Sequence, residues 1–212
     1  MNLVMDGDKL IYIVGLGPGN KDYILKRATD VLKESDYILG FERALNSLDF
    51  IDKEKVYIKK LSDIDKFIID ENEYENKIIC IVASGDPTFY GITNYIKNKT
   101  TMEFEIIPGI SSFQYLTSKV KLPWNNAILG SLHGRKDEFL KKINENNMTI
   151  WLTDKENNPC ELCKILYKNN VECTVIIGEN LSYDDEVISI GKPQEFINRA
   201  FEPLNIFIVI QE

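Results

Sequence analysis

The stretch Ile78-Ile79-Cys80-Ile81-Val82-Ala83, running directly into Ser84-Gly85-Asp86-Pro87-Thr88-Phe89-Tyr90-Gly91, decides how the rest of the chain is read. Six consecutive apolar residues rich in β-branched side chains predict a strand buried on both faces, which favours a parallel sheet. The run stops at Ser84-Gly85. Asp86 then stands where a helix N-cap belongs, and Pro87 suits a first helical position, where its missing N–H costs nothing. A strand, a glycine turn and a helix start make up the carboxyl end of a strand in an open α/β sheet, where ligands usually bind. Gly85 lets a ligand approach the backbone, and Asp86 offers a carboxylate to a hydroxyl or a cation. Alone, the same stretch is also an ordinary capped βα turn without a ligand.

Upstream, Leu10 to Val14 predicts a first buried strand leading into Gly15-Leu16-Gly17-Pro18-Gly19-Asn20. This falls short of a dinucleotide fingerprint, because the third glycine of that pattern would fall on Asn20. Pro18 also removes an N–H from a loop that would have to donate to pyrophosphate. The spacing predicts an amphipathic helix over 22–34, strands over 36–40 and 55–59, and a helix over 62–72 capped by Ser62. After the Ser84 turn come a helix to about Lys97 and a strand over 103–107. That strand ends at Pro108-Gly109-Ile110-Ser111-Ser112, with Ser111 or Ser112 as a helix cap. Strands alternating with helices predict a doubly wound parallel sheet.

Beyond Ser112 the pattern changes. A helix to about Lys119 precedes Leu122-Pro123-Trp124, a short strand over 127–129, and Ser131-Leu132-His133-Gly134-Arg135. Helices over 137–146 and 159–169 and strands over 148–153 and 173–178 follow. Strands over 186–190 and 206–210 are expected to close as an antiparallel pair around a short helix at 193–200. Loops too short for a crossover helix imply a mixed sheet. The expected organisation is therefore α/β: a loose extension over 1–9, a parallel-sheet domain over 10–110 and a mixed-sheet domain over 111–212.

The totals bound the function. A net charge of −8 over 212 residues argues against a nucleic-acid partner, since phosphate neutralisation needs a basic face. An acidic ligand would need local cations. No run approaches the roughly 20 apolar residues of a membrane span, and residues 1–9 lack the apolar core of a signal peptide. Four cysteines without an export signal read as reduced thiols in the cytoplasm. Cys160-Glu161-Leu162-Cys163 has redox spacing, and a metal site would recruit Cys173, yet no second CxxC is present and the cysteines read as structural.

Gly15-Leu-Gly-Pro-Gly19, Ser84-Gly-Asp-Pro87 and Ile107-Pro-Gly-Ile-Ser-Ser112, in this order and spacing, resemble the tetrapyrrole methylases. With Leu122-Pro-Trp124 and Ser131-Leu-His-Gly-Arg135, the chain is similar to the branch of that family that methylates carbon 5 of cobalt-precorrin-7, or its cobalt-free equivalent, in cobalamin biosynthesis. The resemblance covers about residues 9–211. It implies two α/β domains with a cofactor cleft between them, S-adenosylmethionine as methyl donor, no protein-bound metal and a homodimer. It also implies functional pairing with a separate carbon-15 decarboxylating methyltransferase. Carried over by position, Pro18, Ala83, Ser84, Gly85, Asp86, Phe89, Ser111 and Ser112 match cofactor contacts. Thr153, Asp154, Asn180 and Leu181 are the expected contacts from the second domain. Many relatives carry Asp after the first Gly-Pro-Gly, where this chain has Asn20.

Methyl transfer to carbon is an in-line displacement that needs positioning groups and a dry site, with no strong protein nucleophile. That fits a chain with a single histidine. His133 and Arg135 are the expected catalytic residues: Arg135 to hold a substrate carboxylate bidentately, His133 to donate a hydrogen bond or move a proton. Gly17, Gly19 and Trp124 join them as expected substrate contacts, with Arg43, Lys59 and Lys60 as weaker cationic candidates. Phe41, Tyr90, Phe113 and Tyr115 read mainly as packing residues. The competing readings are another tetrapyrrole, diphthine or ribosomal-RNA methylase of the superfamily, or a non-catalytic nucleotide- or metabolite-binding module.

Overall fold

The computed structural model describes residues 10–69 and 74–211. The expected extension over 1–9, and the part of the expected 62–72 helix that falls on 70–72, lie outside the described residues. The chain divides into two compact units, one ending at Ser111 and one beginning at Ser112.

In the first unit the strands are β1 (Leu10–Gly15), β2 (Tyr37–Phe41), β3 (Glu54–Ile58), β4 (Ile78–Ala83) and β5 (Glu105–Ile107). The helices are α1 (Lys26–Glu34), α2 (Glu42–Asn46), α3 (Asp65–Ile68) and α4 (Thr93–Lys97). The strands form one sheet in the order β3-β2-β4-β1-β5, and every neighbouring pair is parallel. Side chains alternate between the faces of a strand, and here both faces are apolar. Val14, Ile38, Cys80 and Val82 point to the side covered by Val31, Leu32, Leu45 and Leu48. Ile11, Ile13, Leu39, Ile79 and Ile81 point to the side covered by Phe67, Ile68 and Ile96. The unbroken β-branched run of β4 is thus the centre of a sheet packed on both sides.

The second unit contains α5 (Ser112–Lys119), β6 (Ile128–Ser131), α6 (Phe139–Glu145), β7 (Met148–Leu152), α7 (Pro159–Lys168), β8 (Cys173–Glu179), β9 (Val187–Gly191) and β10 (Asn205–Gln211). Its sheet runs β6-β7-β10-β8-β9 and is mixed: β6 and β7 are parallel, and the other three pairings are antiparallel. Trp151 and Phe207 anchor its core with Phe139, Leu162, Leu166 and Val175.

Several sequence expectations are corrected. The helix expected over 22–34 is a 3-10 turn, Lys21–Tyr23, separated from α1 by extended backbone at Ile24 and Leu25. The helix expected over 62–72 is a 3-10 turn, Leu61–Ile64, followed by α3; Ser62 lies inside that turn, and Asp63 caps it by accepting from the Lys59 and Lys60 N–H groups. The strands over 186–190 and 206–210 do not pair with each other, because β8 lies between β9 and β10. The helix expected over 193–200 is only the 3-10 turn Pro193–Glu195.

The cysteines are all free thiols. Burial pushes Cys80 and Cys163 up to about 12, which keeps both protonated and unreactive. Cys160 Sγ is spent on the Ile197 carbonyl oxygen at 3.1 Å.

Candidate functional site

All strands of the first sheet run the same way, so the turns after β1, β4 and β5 emerge on one edge. They also lock together. Gly17 N donates to Gly85 O at 3.3 Å and Gly85 N donates to Gly17 O at 2.7 Å, a two-bond antiparallel bridge between the first and second turns. The third turn packs onto both. A Cβ built on Gly109 would lie 2.1 Å from Gly85 O and 2.9 Å from Gly15 C, so this meeting of three main chains excludes any side chain. Gly85 also has φ +67°, a conformation other residues adopt only with strain.

Asp86 fastens the arrangement. Its Oδ1 accepts from Thr88 N at 2.7 Å and from the Thr88 hydroxyl, and its Oδ2 accepts from Gly109 N at 3.2 Å. The sequence expectation of Asp86 as a helix cap followed by Pro87 is therefore corrected. α4 begins six residues after Pro87, at Thr93, whose N–H and hydroxyl both bond to Pro87 O. Both carboxylate oxygens are already occupied inside the protein, so Asp86 positions the second and third turns. Asp86→Ala removes three hydrogen bonds to an ionised acceptor and strands the Gly109 N–H. It is expected to cost about 2–3 kcal/mol in denaturant unfolding, with Asp86→Asn recovering part of that. Equal stability of Asp86→Ala and the parent would exclude the fastening role.

Around this edge Ser84 is exposed, Pro18, Gly19, Ala83 and Phe89 are half-buried, and Ser111 is buried. Ser111 directly precedes α5, and Ser112 is the first residue of that helix. Asn20, the departure from the family pattern, has a structural job. Its Oδ1 accepts from Asp22 N at 2.9 Å and caps the 3-10 turn, a role Asn fills as well as Asp. Arg43 reaches this edge from α2, with Nη2 3.4 Å from Ser84 Oγ.

In the second unit, β7 and β8 both run antiparallel to β10, and β6 runs with β7. The carboxyl ends of β6, β7 and β8 therefore share one edge with the start of β10. His133, Gly134, Arg135, Thr153, Asp154, Asn180 and Leu181 all follow those three strands directly. His133 Nδ1 lies 2.9 Å from Thr153 O. A carbonyl oxygen only accepts, so Nδ1 carries the proton in this bond. Gly134 N donates to Asp154 Oδ2 at 2.9 Å, while Asp154 Oδ1 accepts from Glu156 N, Asn157 N and Asn157 Nδ2. Arg135 Nε reaches back to His133 O at 3.4 Å.

The bonds from Asn157 N and Gly134 N hold the Asp154 carboxyl below its ordinary value of 3.8. A carboxyl lowered in the folded state stabilises it above that ordinary value, and the contribution is lost as pH falls through the folded value. Carbon-detected NMR of Asp154 is expected to titrate with a midpoint below 3.8, with the Gly134 amide shift following the same curve. A midpoint at or above the ordinary value would contradict the tether.

The other expected contacts are already engaged. The Thr153 hydroxyl shares its one proton between Asn205 Oδ1 and Asn205 O. Asn180 Nδ2 donates to Asp185 Oδ2 at 2.7 Å, and the Leu181 side chain is buried against Gly178. Trp124 is 39% exposed, packs edge-on to Phe113, and lines a shallow cavity of about 300 Å³ with Gln114 and Lys121. Phe113 and Tyr115 are buried, whereas Phe41 and Tyr90 are exposed.

Sequence reasoning missed Asn205, which no motif marks, and Asn157, which an Asx-type spacing from Asp154 could have signalled. Among the described residues no helix is long and apolar enough to cross a membrane.

Residues 10–196 match the family model described as tetrapyrrole (corrin/porphyrin) methylases. The chain is 31% identical over 208 residues to a probable cobalt-precorrin-7 C(5)-methyltransferase of Methanocaldococcus jannaschii, covering 94% of this chain and 97% of that one. It is 28% identical to the cobalt-precorrin-7 C(5)-methyltransferase of Salmonella typhimurium, covering 96% of this chain and all of the relative. Among solved structures, a precorrin-6Y methylase from Archaeoglobus fulgidus shares the fold at TM-score 0.71 and 22% identity, covering 96% and 98% of the two chains. A uroporphyrin-III C-methyltransferase from Thermus thermophilus, complexed with S-adenosylhomocysteine, matches at TM-score 0.77 and 19% identity, covering 94% and 91%. With a family model spanning most of its length and full-length relatives at this identity, the chain belongs to the tetrapyrrole methylase family.

Proposed function

We propose that the protein methylates carbon 5 of cobalt-precorrin-7, or of the equivalent cobalt-free precorrin, with S-adenosylmethionine as methyl donor, in cobalamin biosynthesis. The names of its full-length relatives support the substrate. The single structural observation that carries the donor reading is the interlocked edge of Gly15–Gly19, Ser84–Asp86 and Gly109. That edge fits a nucleoside ligand: it presents main chain at close approach, one exposed serine hydroxyl and a half-buried phenylalanine ring. Ala83, Ser84, Gly85, Phe89 and Ser111 are the residues that would hold the donor there, with Asp86 fixing the two turns behind them.

The bound donor supplies an electrophilic methyl on a sulfonium. Replacing hydrogen by methyl on carbon forms one C–C bond, breaks the S–CH₃ bond and releases one proton. Exclusion of water favours this charge-neutralising displacement. His133 Nε2 accepts the proton while Nδ1 stays bonded to Thr153 O, and Arg135 holds a substrate carboxylate. Asp154 keeps both groups in place through Gly134. The resemblance also supports a homodimer, which sedimentation of the purified protein reads directly.

Incubation with methyl-labelled S-adenosylmethionine and a panel of cobalt-precorrins tests the assignment. Label is expected in cobalt-precorrin-7; label in none of the panel, or only in a different precorrin, would overturn it.

A further inference from the structure

We infer that Arg43 is a carboxylate receptor set at the mouth of the Ser84 turn. The inference deepens the reading above and rests on it for the identity of the ligands.

Leu39 of β2 pairs with Ile81 of β4, so the chain leaving β2 at Phe41 emerges beside the carboxyl end of β4. α2 begins at once. Its Ala44 and Leu45 are buried in the core, which leaves Arg43 on the outer side of the helix, exposed. From there, among the described residues, its guanidinium reaches Ser84 Oγ alone, at 3.4 Å. That is a long contact between a fork of five donors and a neutral hydroxyl.

Two of the other described arginines are paired with carboxylates. Arg27 pairs with Glu105 and Arg199 with Glu179. Arg43 takes part in none of the recorded ion pairs among the described residues. The carboxylate nearest in sequence to Ser84, on Asp86, is spent on Thr88 and Gly109. Lys59 and Lys60, at the end of the neighbouring β3, add positive charge on the same edge, and their N–H groups already hold the local Asp63.

In a protein of net charge −8, an exposed guanidinium with no carboxylate partner among the described residues, resting on a serine, is a bidentate donor for an anionic oxygen pair. Two residues earlier, Phe41 is 42% exposed at the last position of β2. A flat apolar body carrying a carboxylate matches this pairing of ring and cation. Two ligands of the reaction carry a carboxylate: the methionine end of the donor, and the macrocycle, whose flat body also suits the ring.

The experiment uses the full-length enzyme with Arg43→Ala, Arg43→Gln and Arg43→Lys. S-adenosylhomocysteine binding is read by calorimetry, and KM for the tetrapyrrole by initial rates. Loss of one charge-assisted pair corresponds to about a tenfold to hundredfold weaker interaction. A rise of that size in KM for both Ala and Gln, with unchanged S-adenosylhomocysteine affinity, assigns the site to a macrocycle carboxylate. A rise in the S-adenosylhomocysteine dissociation constant, absent when methylthioadenosine replaces it, assigns the site to the donor's carboxylate. In either case Arg43→Lys is expected to recover part of the loss.

Gln keeps a donor for Ser84 without charge, so parent-like behaviour of Arg43→Gln alongside a defective Arg43→Ala would reduce Arg43 to a structural contact and overturn the inference. So would two folded variants with parent-like values in both assays. A parent enzyme that methylates no tetrapyrrole would remove the proposed function instead, while the calorimetric arm still reads the receptor.

Discussion

Gly109→Ala is expected to be among the most damaging single-methyl substitutions in the first unit. Its Cβ would lie 2.1 Å from Gly85 O and within 3 Å of Gly15 Cα or C, all main-chain atoms held by a parallel sheet. No side-chain rotation relieves that overlap. The second and third turns must separate, breaking the Gly109 N bond to Asp86 and disturbing the Gly17–Gly85 bridge. The loss is expected to exceed about 3 kcal/mol, beyond the usual cost of overpacking because the clash is with backbone. S-adenosylhomocysteine affinity is expected to fall in whatever protein remains folded. Gly15→Ala, whose Cβ would lie 2.6 Å from Gly109 N, is expected to follow closely. Gly85→Ala should be milder. Its Cβ meets only Ser111 Cα at 3.8 Å, so the cost is the roughly 1–2 kcal/mol of a left-handed alanine. Chemical denaturation of the three variants gives the order directly, and Gly85→Ala proving the worst would contradict the interlock.

The second large effect belongs to His133. Removing a positioned proton acceptor typically lowers turnover 10²- to 10⁴-fold. His133→Ala is expected to fall in that range while S-adenosylhomocysteine binding stays at the parent value. His133→Asn separates chemistry from architecture. Its side-chain amide donates to Thr153 O much as Nδ1 does, so the tether to the loop after β7 survives, but no group replaces Nε2. The asparagine variant is therefore expected to be as stable as the parent and as slow as the alanine variant. Parent-like turnover in His133→Asn would show that the ring serves only to hold the loop.

What the sequence made legible follows from burial. Runs such as Ile78–Ala83 and Cys173–Gly178 have one physical use, as strands packed on both faces, and they appear as β4 and β8. The three glycine turns were legible as turns because a chain that must reverse at a strand end has few other residues to use. Their meeting followed once the sheet was parallel and the order β4-β1-β5 was set. Polar side chains were less legible. Asp86 reads as a cap because capping is its commonest use beside proline, yet its partners are Thr88 and a main-chain amide 23 residues away. Local spacing carries no trace of the second bond.

The Thr153 hydroxyl illustrates the same limit, since its acceptor is Asn205, 52 residues on and at the start of the last strand. Strand order in the second sheet was illegible for a related reason. Val187–Gly191 and Asn205–Gln211 are each plausible partners for the other, and only the packed fold shows β8 inserted between them. Asn20 was legible only as a departure from a pattern. Its capping bond to Asp22 N shows that the position needs a side-chain acceptor, which an amide supplies as well as a carboxylate.

Methyl transfer by this protein requires the donor to sit on the first unit's carboxyl edge, as proposed. Backbone amide NMR of the full chain, titrated with S-adenosylhomocysteine, tests it. Saturable shifts are expected to concentrate at Gly15–Gly19, Ala83–Asp86 and Gly109–Ser111, with residues on the opposite edge of the same sheet, such as Lys77 and Asp36, unmoved. Saturable binding that leaves those three turns unperturbed, or no binding at millimolar ligand, would contradict it.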